Sequence, residues 1–360
     1  MDNQHTPATN QRYGSLQRVA PGVLGLPTLI VNVYFVGDAH NWVLVDAGIA
    51  GFAGNIRKAA EQIYGPGAKP KAIVLTHGHF DHVGSLEALL KIWDVPVYAH
   101  KLEVPYLTGM SSYPPPDPTV GGGAMASLSR VFPTKPLHLG SRVRPFPLIG
   151  ELPEMPGWEI VHTPGHAPGH VSLFRRHDGV LIAGDAFVTT NQESFWSVVS
   201  RKREIHRPPA YFTQDWTAAQ RSVEHLANLE PSVVATGHGL PMRGESMRAA
   251  LRHLAQNFRQ EAVPAKGRYV AHPALFNEAG VDYVPPAAPD PLPKILAGVG
   301  IAALAGVVAY ALISRNRKHN ELKPMGTRTV YYDPEPPHYR TEEKSSTHIP
   351  RVRRITRPEY

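Results

Sequence analysis

The chain has 360 residues, a formal net charge of +7 and no cysteine. Its length suffices for one large or two ordinary domains, and 42% hydrophobic residues exclude a wholly disordered protein. Without cysteine, any metal site must use histidine and carboxylate ligands. Residues 314–360 carry 11 Lys and Arg against 6 Asp and Glu, which leaves 26 against 24 in the rest of the chain. The basic character therefore belongs to the tail, and the near-neutral body is not that of an electrostatic nucleic-acid binder.

Composition divides the chain into five regions. Residues 1–18 are polar and lack the apolar run of a signal peptide. Residues 19–270 alternate short apolar runs with helical patterns, which predicts one α/β domain. A Pro-rich linker is predicted at 271–294. An uncharged apolar run follows at 295–313, and we expect the basic tail, 314–360, to be disordered.

Five short apolar runs within the domain are typical of buried strands. Each precedes a His or Asp close to glycine: 42–45 before Asp46, 72–76 before His77, 158–162 before His166, 180–184 before Asp185, and 233–237 before His238. Helical patterns lie between them, at 54–64, 83–93, 214–230 and 245–260. Because side chains at the carboxyl ends of neighbouring strands converge on one edge of a sheet, we expect these residues to meet.

Four potential metal ligands fall within the six residues His77-Gly78-His79-Phe80-Asp81-His82. In a tight turn, His77 and His79 can hold one ion, while Asp81 and His82 can face a second. A His-rich surface loop is the alternative, but it leaves unexplained the His and Asp at the other strand ends. Imidazole nitrogen and carboxylate oxygen suit zinc, so the predicted cofactor is two divalent metal ions, with Zn²⁺ preferred.

The motifs THGHFDH, TPGH, GD and GHG, preceded by VDAG, resemble the metallo-β-lactamase fold superfamily over about residues 20–260. The resemblance implies a four-layer αββα sandwich with a two-metal site on one edge. The implied ligands are His77, His79 and His166 for one metal, Asp81, His82 and His238 for the other, and Asp185 as the bridge. Asp46 is not an implied ligand and is expected to orient the HxHxDH loop. His170 is expected either to support a ligand in the same way or to be an ordinary structural histidine.

Two residues indicate which members of the superfamily the chain resembles. His79 stands where flavodiiron reductases carry Glu, which argues against redox iron chemistry. Asp185 supplies a bridging acid that many true β-lactamases lack, which favours hydrolases similar to glyoxalase II, lactonases and phosphodiesterases. The stretch after Asp185 has no Tyr of the kind found in quorum-signal lactonases, so that activity loses support.

The predicted function is hydrolysis of a small ester, thioester or lactone by a hydroxide that bridges the two metals. Asp81 is the expected catalytic residue, which receives or returns a proton. The segments 105–136 and 187–216 lie between the metal motifs and are expected to wall the substrate pocket, unless they are surface loops with aromatic anchors in the core. A phosphodiesterase or nuclease of the same fold, and a non-catalytic membrane-anchored scaffold, are the alternatives. The near-neutral body predicts no nucleic-acid partner.

The 19 uncharged residues 295–313 would span about 28 Å as a helix, close to the roughly 30 Å hydrocarbon core of a bilayer. They predict a single transmembrane helix, whereas the alternative, a buried C-terminal helix, would normally show a polar face. Gly298, Ala302 and Gly306 lie four apart, a spacing that would let two such helices form a homodimer. The predicted partners are thus a small-molecule substrate, membrane lipid and a second copy of the chain.

The orientation of this predicted helix rests on two opposing signals. Lys and Arg are more frequent after the span than before it, so the positive-inside rule alone would place the body outside the cell. Export would require a signal that residues 1–18 do not show. We therefore predict a single-pass membrane protein whose catalytic domain faces the cytoplasm.

Overall fold

The structure, a computed structural model, describes residues 16–121, 123–147, 152–191 and 203–289. The predicted transmembrane helix at 295–313, the basic tail and almost all of the polar N-terminal segment lie outside the described residues. In the part of the chain that is described, no helix combines the length and the apolar composition needed to cross a bilayer.

A seven-stranded sheet forms the N-terminal half, and its strands are ordered in space as they are in the chain. The strands are β1 Gln17–Ala20, β2 Val23–Thr28, β3 Val31–Gly37, β4 Trp42–Val45, β5 Ile73–Val74, β6 Val97–Ala99 and β7 Val143–Pro145. The first four pair antiparallel, and β4 to β7 pair parallel. The helices along this half are α1 Ala53–Tyr64, α2 Phe80–Val83, α3 Leu86–Ile92, α4 Val104–Leu107 and α5 Ala124–Leu128.

A five-stranded sheet follows, with spatial order β12-β11-β10-β9-β8. Its strands are β8 Glu159–His162, β9 Val171–Arg175, β10 Val180–Ile182, β11 Val233–Ala235 and β12 Met242–Arg243. Only the β10–β11 pair is parallel, and α6 Trp216–Asn228 lies between these two strands in the chain. The later helices are α7 Glu245–Gln256, α8 Phe258–Glu261 and α9 Arg268–Ala271.

The side chains of β3 alternate between two apolar clusters, which shows how the layers stack. Val33 and Phe35 pack in one apolar cluster with Ile56 of α1 and Leu89 of α3. Their neighbours Tyr34 and Val36 pack instead with residues of β9 and β10 of the other sheet. A third cluster joins the outer face of the five-stranded sheet to α6 and α7. The two sheets therefore face each other between outer helices, in agreement with the expected αββα arrangement.

The helix predicted at 83–93 is interrupted at Gly84 and Ser85. Gly84 has no space for a side chain, since a Cβ there would come within 2.7 Å of the carbonyl oxygen of Phe80. The Ser85 hydroxyl donates to the carbonyl of Ile49 at 2.6 Å and accepts from the amide of Phe52 at 3.0 Å. These contacts fix α2 against the segment after β4, which places the HxHxDH loop beside Asp46.

The predicted linker at 271–294 contains ordered structure. Its described part, 271–289, includes a hairpin of β13 Leu275–Asn277 and β14 Gly280–Tyr283. Partly buried Phe276 and Val281 from this hairpin pack against a small apolar cluster that contains Tyr113. The folded body therefore extends to at least Tyr283, and Pro spacing gave no indication of this pairing.

Candidate metal centre

The HxHxDH loop connects β5 to α2 and supplies four of the predicted ligands. Asp46, at the end of β4, accepts hydrogen bonds from the amide and the hydroxyl of Thr76, both at 2.8 Å. The amide of His82 donates to the carbonyl of His79 at 2.9 Å, which closes the first turn of α2. Hydrogen bonds within the protein thus hold the loop to the end of β4, the neighbouring strand, without any metal ion.

The other three predicted ligands come from the five-stranded sheet. His166 lies between β8 and β9, Asp185 follows β10, and His238 follows β11. All seven predicted ligands are at most 7% exposed. The site therefore lies where the two sheets meet, and it draws on strand ends from both of them.

The candidate ligand atoms form three overlapping groups of three residues. Within each group, one atom from each residue lies within 4.8 Å of the other two. The groups are His77, His79 and His166; His77, His82 and Asp185; and Asp81, His82 and His238. The structure thus brings all seven predicted residues together, in the two sets that the resemblance implies and a third that links them through Asp185.

One carboxylate oxygen lies at the centre of this arrangement. Asp185 Oδ2 is 3.0 Å from Nε2 of His238 and 3.5 Å from Nε2 of both His82 and His166. His79 Nδ1 lies 3.0 Å from His166 Nε2. Nitrogens from both sets therefore converge on the same small volume.

Several atoms of the cluster are buried without a hydrogen-bond partner among the described residues. They are Nε2 of His77, His79 and His82, and Oδ1 of Asp185. Buried polar atoms are almost always hydrogen-bonded, and leaving one unpaired costs about 1–3 kcal/mol. Divalent cations would satisfy these atoms, because imidazole nitrogen and carboxylate oxygen are the ligands that zinc accepts. The donor set fits a metal centre.

Asp46 and Ile30 orient two of the imidazoles. His82 Nδ1 donates to Asp46 Oδ2 at 2.8 Å, and His238 Nδ1 donates to the carbonyl of Ile30 at 2.7 Å. Both contacts leave Nε2 turned toward Asp185. A carboxylate or carbonyl on the far nitrogen is how proteins fix the tautomer of a metal-binding histidine. The contacts of Asp46 agree with the orienting role expected for it.

His170 supports the cluster through the backbone. Its Nε2 accepts from the amide of Asp185 at 2.8 Å, and its Nδ1 donates to the carbonyl of Thr163 at 3.1 Å. This side chain is fully buried. Of the two sequence-based alternatives for His170, the contacts favour support of a predicted ligand, Asp185.

Burial sets the charge of most imidazoles in the cluster. It lowers the pKa of His166 and of His170 to about 3. Burial also lowers the pKa of His77 and of His79 well below its ordinary value. These four rings are therefore neutral at pH 7, and a nitrogen lone pair is what a metal ion requires.

Asp185 has the opposite effect on the two histidines closest to it. Burial alone would raise the pKa of Asp185, but His238 and His82 hold it well below its ordinary value. Burial would likewise lower the pKa of these two histidines, yet the Asp185 carboxylate raises both. The centre thus keeps an ionised carboxylate between two groups of imidazoles.

Aromatic rings cover one side of the cluster. Phe212 stacks on His79 with ring centroids 4.3 Å apart, and Tyr113 contacts the same imidazole at 4.6 Å. Phe80 and Phe132 pack next to Phe212. Phe212 and Tyr113 come from the two segments expected to wall the pocket, and both are buried. Their rings therefore pack in the interior against the predicted ligand His79.

Glu103 is a fully buried acid to which no sequence motif points. Its Oε1 accepts from the amide of Gly169 at 2.8 Å, and its Oε2 accepts from the amide of Gly78 at 2.9 Å. The hydroxyl of Tyr113 donates to the same Oε2. Glu103 therefore joins the loop of His77 and His79 to the loop of His166 and His170.

Glycine permits this contact on both loops. A Cβ on Gly169 would come within 2.8 Å of Glu103 Cγ, and one on Gly78 would come within 2.8 Å of the Tyr113 hydroxyl. The two glycines, inside HGH and PGH, are the only sequence signal that could have indicated a close backbone approach. Nothing in their spacing points to residue 103 as the partner.

Comparison with known proteins gives consistent matches. The model of the family described as the metallo-beta-lactamase superfamily matches residues 26–238. A probable metallo-hydrolase of Bacillus subtilis, YflN, is 46% identical over 258 residues, which cover 71% of this chain and 98% of that protein.

Two further matches are more distant. The hydroxyacylglutathione hydrolase GloC of Haemophilus influenzae is 27% identical over 150 residues, which cover 41% of this chain and 62% of that protein. A crystal structure of a metallo-beta-lactamase family protein from Thermus thermophilus has a TM-score of 0.45 at 24% identity, covering 67% of this chain and 81% of that one.

We expect Glu103→Gln to loosen both metal-site loops. A glutamine offers one acceptor oxygen where the carboxylate offers two, so its NH2 group faces one of the two backbone amides. The hydrogen bond lost there costs about 1–3 kcal/mol. Urea unfolding would report the loss of stability. Hydrogen exchange would report faster exchange of the Gly78 and Gly169 amides.

Glu154→Gln is the matched control, because Glu154 also accepts from a tyrosine hydroxyl, that of Tyr98 at 3.0 Å. It should leave exchange at Gly78 and Gly169 unchanged. Equal exchange at these two amides in wild type and Glu103→Gln would show that Glu103 does not hold the loops.

Proposed function

This chain belongs to the metallo-beta-lactamase superfamily of metallo-hydrolases, and we propose that it uses two divalent ions to hydrolyse a small ester, thioester or lactone. The family match spans 26–238, which contains every predicted ligand. The position of Asp185 carries the proposal of two ions, because its Oδ2 lies within 3.5 Å of His166 from one ligand set and of His82 and His238 from the other.

In the proposed assignment, His77, His79 and His166 hold one ion, Asp81, His82 and His238 hold the second, and Asp185 contacts both. Zinc is the proposed metal, since the donor set combines imidazole nitrogens with carboxylate oxygens. When bound by these residues, such ions would lower the pKa of a bound water to about 7 and would polarise a substrate oxygen.

Among the protein's own groups, Asp81 is the proposed general acid–base residue. Its Oδ2 lies 3.4 Å from His238 Nε2, and the residue is 7% exposed. We propose that the other oxygen, Oδ1, receives the proton from the attacking water and returns it to the leaving group. Asp46 and His170 take no part in proton transfer in this scheme, because their contacts hold His82 and Asp185 in place.

An acyl substrate with an apolar part is the proposed substrate class. The rings of Phe80, Phe132 and Phe212 form an aromatic cluster beside the ligand His79. Similarity to a protein named as a hydroxyacylglutathione hydrolase favours acyl over phosphodiester substrates. The near-neutral charge of residues 1–313 supports the same choice, because a nuclease would need a basic track.

Membrane attachment is a separate proposal that rests on sequence alone. We propose that 295–313 anchors the enzyme, with the catalytic domain on the cytoplasmic side, and that the small residues of this segment allow two copies to pair. The segment lies outside the described residues.

A hydrolysis panel on the full-length protein tests the substrate class. Thioesters, lactones, aryl esters and phosphodiesters are assayed with the metal content measured in parallel, and His77→Ala serves as the inactive control. We expect acyl substrates to be cleaved and two ions to be bound per chain. Cleavage of phosphodiesters alone would support the alternative enzyme, and a metal-free, inactive protein would support the scaffold.

Asp81→Asn tests the proton-transfer role. Removing a general acid–base group lowers turnover by about 10²- to 10⁴-fold, and we expect a loss in this range while at least one ion stays bound. Asp94→Asn, at a surface acid paired with Arg142, is the control and should keep wild-type turnover. Wild-type turnover in Asp81→Asn would refute the role.

A further inference from the structure

A second site lies outside the metal centre, in a cleft of about 430 Å³ at the seam between the two sheets. Strand β1 of the first sheet and strand β12 of the second border it. The cleft is lined by Gln17, Arg18, Arg203, Leu240, Pro241, Met242, Arg243 and Ser246. We call it the seam cleft. It contains three guanidinium groups, and the lining residues include no carboxylate.

Most of the polar groups in the seam cleft are not engaged elsewhere. Arg18 and Arg203 are both exposed, and within the described residues their side chains form no hydrogen bond or ion pair. Gln17 is only 7% exposed, and its Nε2 is buried without a partner. Buried donors such as the Gln17 amide normally have a hydrogen-bond partner. Its position beside two unpaired arginine side chains therefore indicates a site for a ligand rather than ordinary solvent-exposed surface.

The third arginine is held in place by the backbone. Arg243 Nη2 donates to the carbonyls of Arg18 and Val19, at 3.4 and 3.2 Å. Its planar fork carries five donors, so these contacts leave donors to spare. Two acids lie next to the cleft in sequence, Glu204 and Glu245. Glu245 is already paired with Arg248 and Arg252. No neighbouring carboxylate of α7 is therefore available to neutralise the cleft.

We propose that the seam cleft binds a small molecule through an oxyanion, either a carboxylate or a phosphate. Guanidinium groups recognise both in the same two-pronged way, and the Gln17 amide adds a neutral donor. The volume is within the usual range of small-molecule sites. Ser246 lies in the first turn of α7, whose N-terminus adds positive potential.

The seam cleft is distinct from the proposed catalytic site, since none of its lining residues is a predicted metal ligand. Leu240 and Pro241, however, belong to the same loop as His238. A ligand in the cleft therefore contacts the backbone segment that carries this histidine.

The test is a titration of full-length protein with inorganic phosphate, and separately with succinate, at constant ionic strength. Calorimetry or the shift in thermal unfolding measures the affinity. Arg18→Gln with Arg203→Gln should weaken binding at least about tenfold, because two charge-assisted hydrogen bonds are lost. Which anion binds more tightly assigns the natural ligand as a phosphate or a carboxylate.

Two further variants separate a built site from general charge attraction. Arg221→Gln with Arg259→Gln removes the same charge from exposed positions on α6 and α8, and it should bind like wild type. Gln17→Leu changes no charge and removes an unpartnered donor, so it should fold normally and still weaken binding about two- to tenfold.

Anion binding that is unaffected by the cleft variants would overturn the proposal, since it would then belong to the metal centre or the tail. Equal weakening by both arginine pairs would overturn it as well, because net charge alone would explain the result. Absence of measurable binding to wild type at millimolar phosphate and succinate would do the same.

Discussion

The structure depends on the burial of an ionised carboxylate, Asp185, among imidazoles from two sheets. Its Oδ2 contacts three Nε2 atoms, while its Oδ1 is buried without a hydrogen-bond partner among the described residues. Burying a charged carboxylate and unpaired polar atoms costs folding free energy unless a partner compensates them. Cations at this position would turn the unpaired atoms into ligands, and the fold holds those atoms in place.

The αββα sandwich supplies this organisation through loops at strand ends. The loop after β5 is tied to β4 by Asp46, and Asp185 is tied to the loop before β9 by His170. Glu103 then joins the loops from the two sheets through the amides of Gly78 and Gly169. Close packing requires glycine at these points, as it does at Gly237, where a Cβ would collide with Asp185 Oδ1. The loops of the site are therefore held by groups outside the predicted ligand set: Asp46, Glu103 and His170.

Sequence was sufficient to select the seven predicted ligands that the structure brings together, because their types and positions are local. His77, His79, Asp81 and His82 share one turn, and the later His and Asp each follow an apolar strand. The same patterns predicted strands β4, β8, β10 and β11 and the start of α7. Features that depend on contacts distant in the chain were missed. Glu103 reaches Gly169 across 66 positions, the break at Gly84 follows from the approach of residues 49–52, and the β13–β14 hairpin packs near Tyr113. The seam cleft likewise joins the first strand to the twelfth.

Metal content of the purified full-length chain, after loading with Zn²⁺ and exhaustive dialysis, tests the central claim most directly. The account predicts two ions per wild-type chain and fewer than two in Asp185→Asn, with both proteins folded by circular dichroism. A folded wild-type chain that retains no metal, or an Asp185→Asn chain that retains both ions as firmly as wild type, would contradict it.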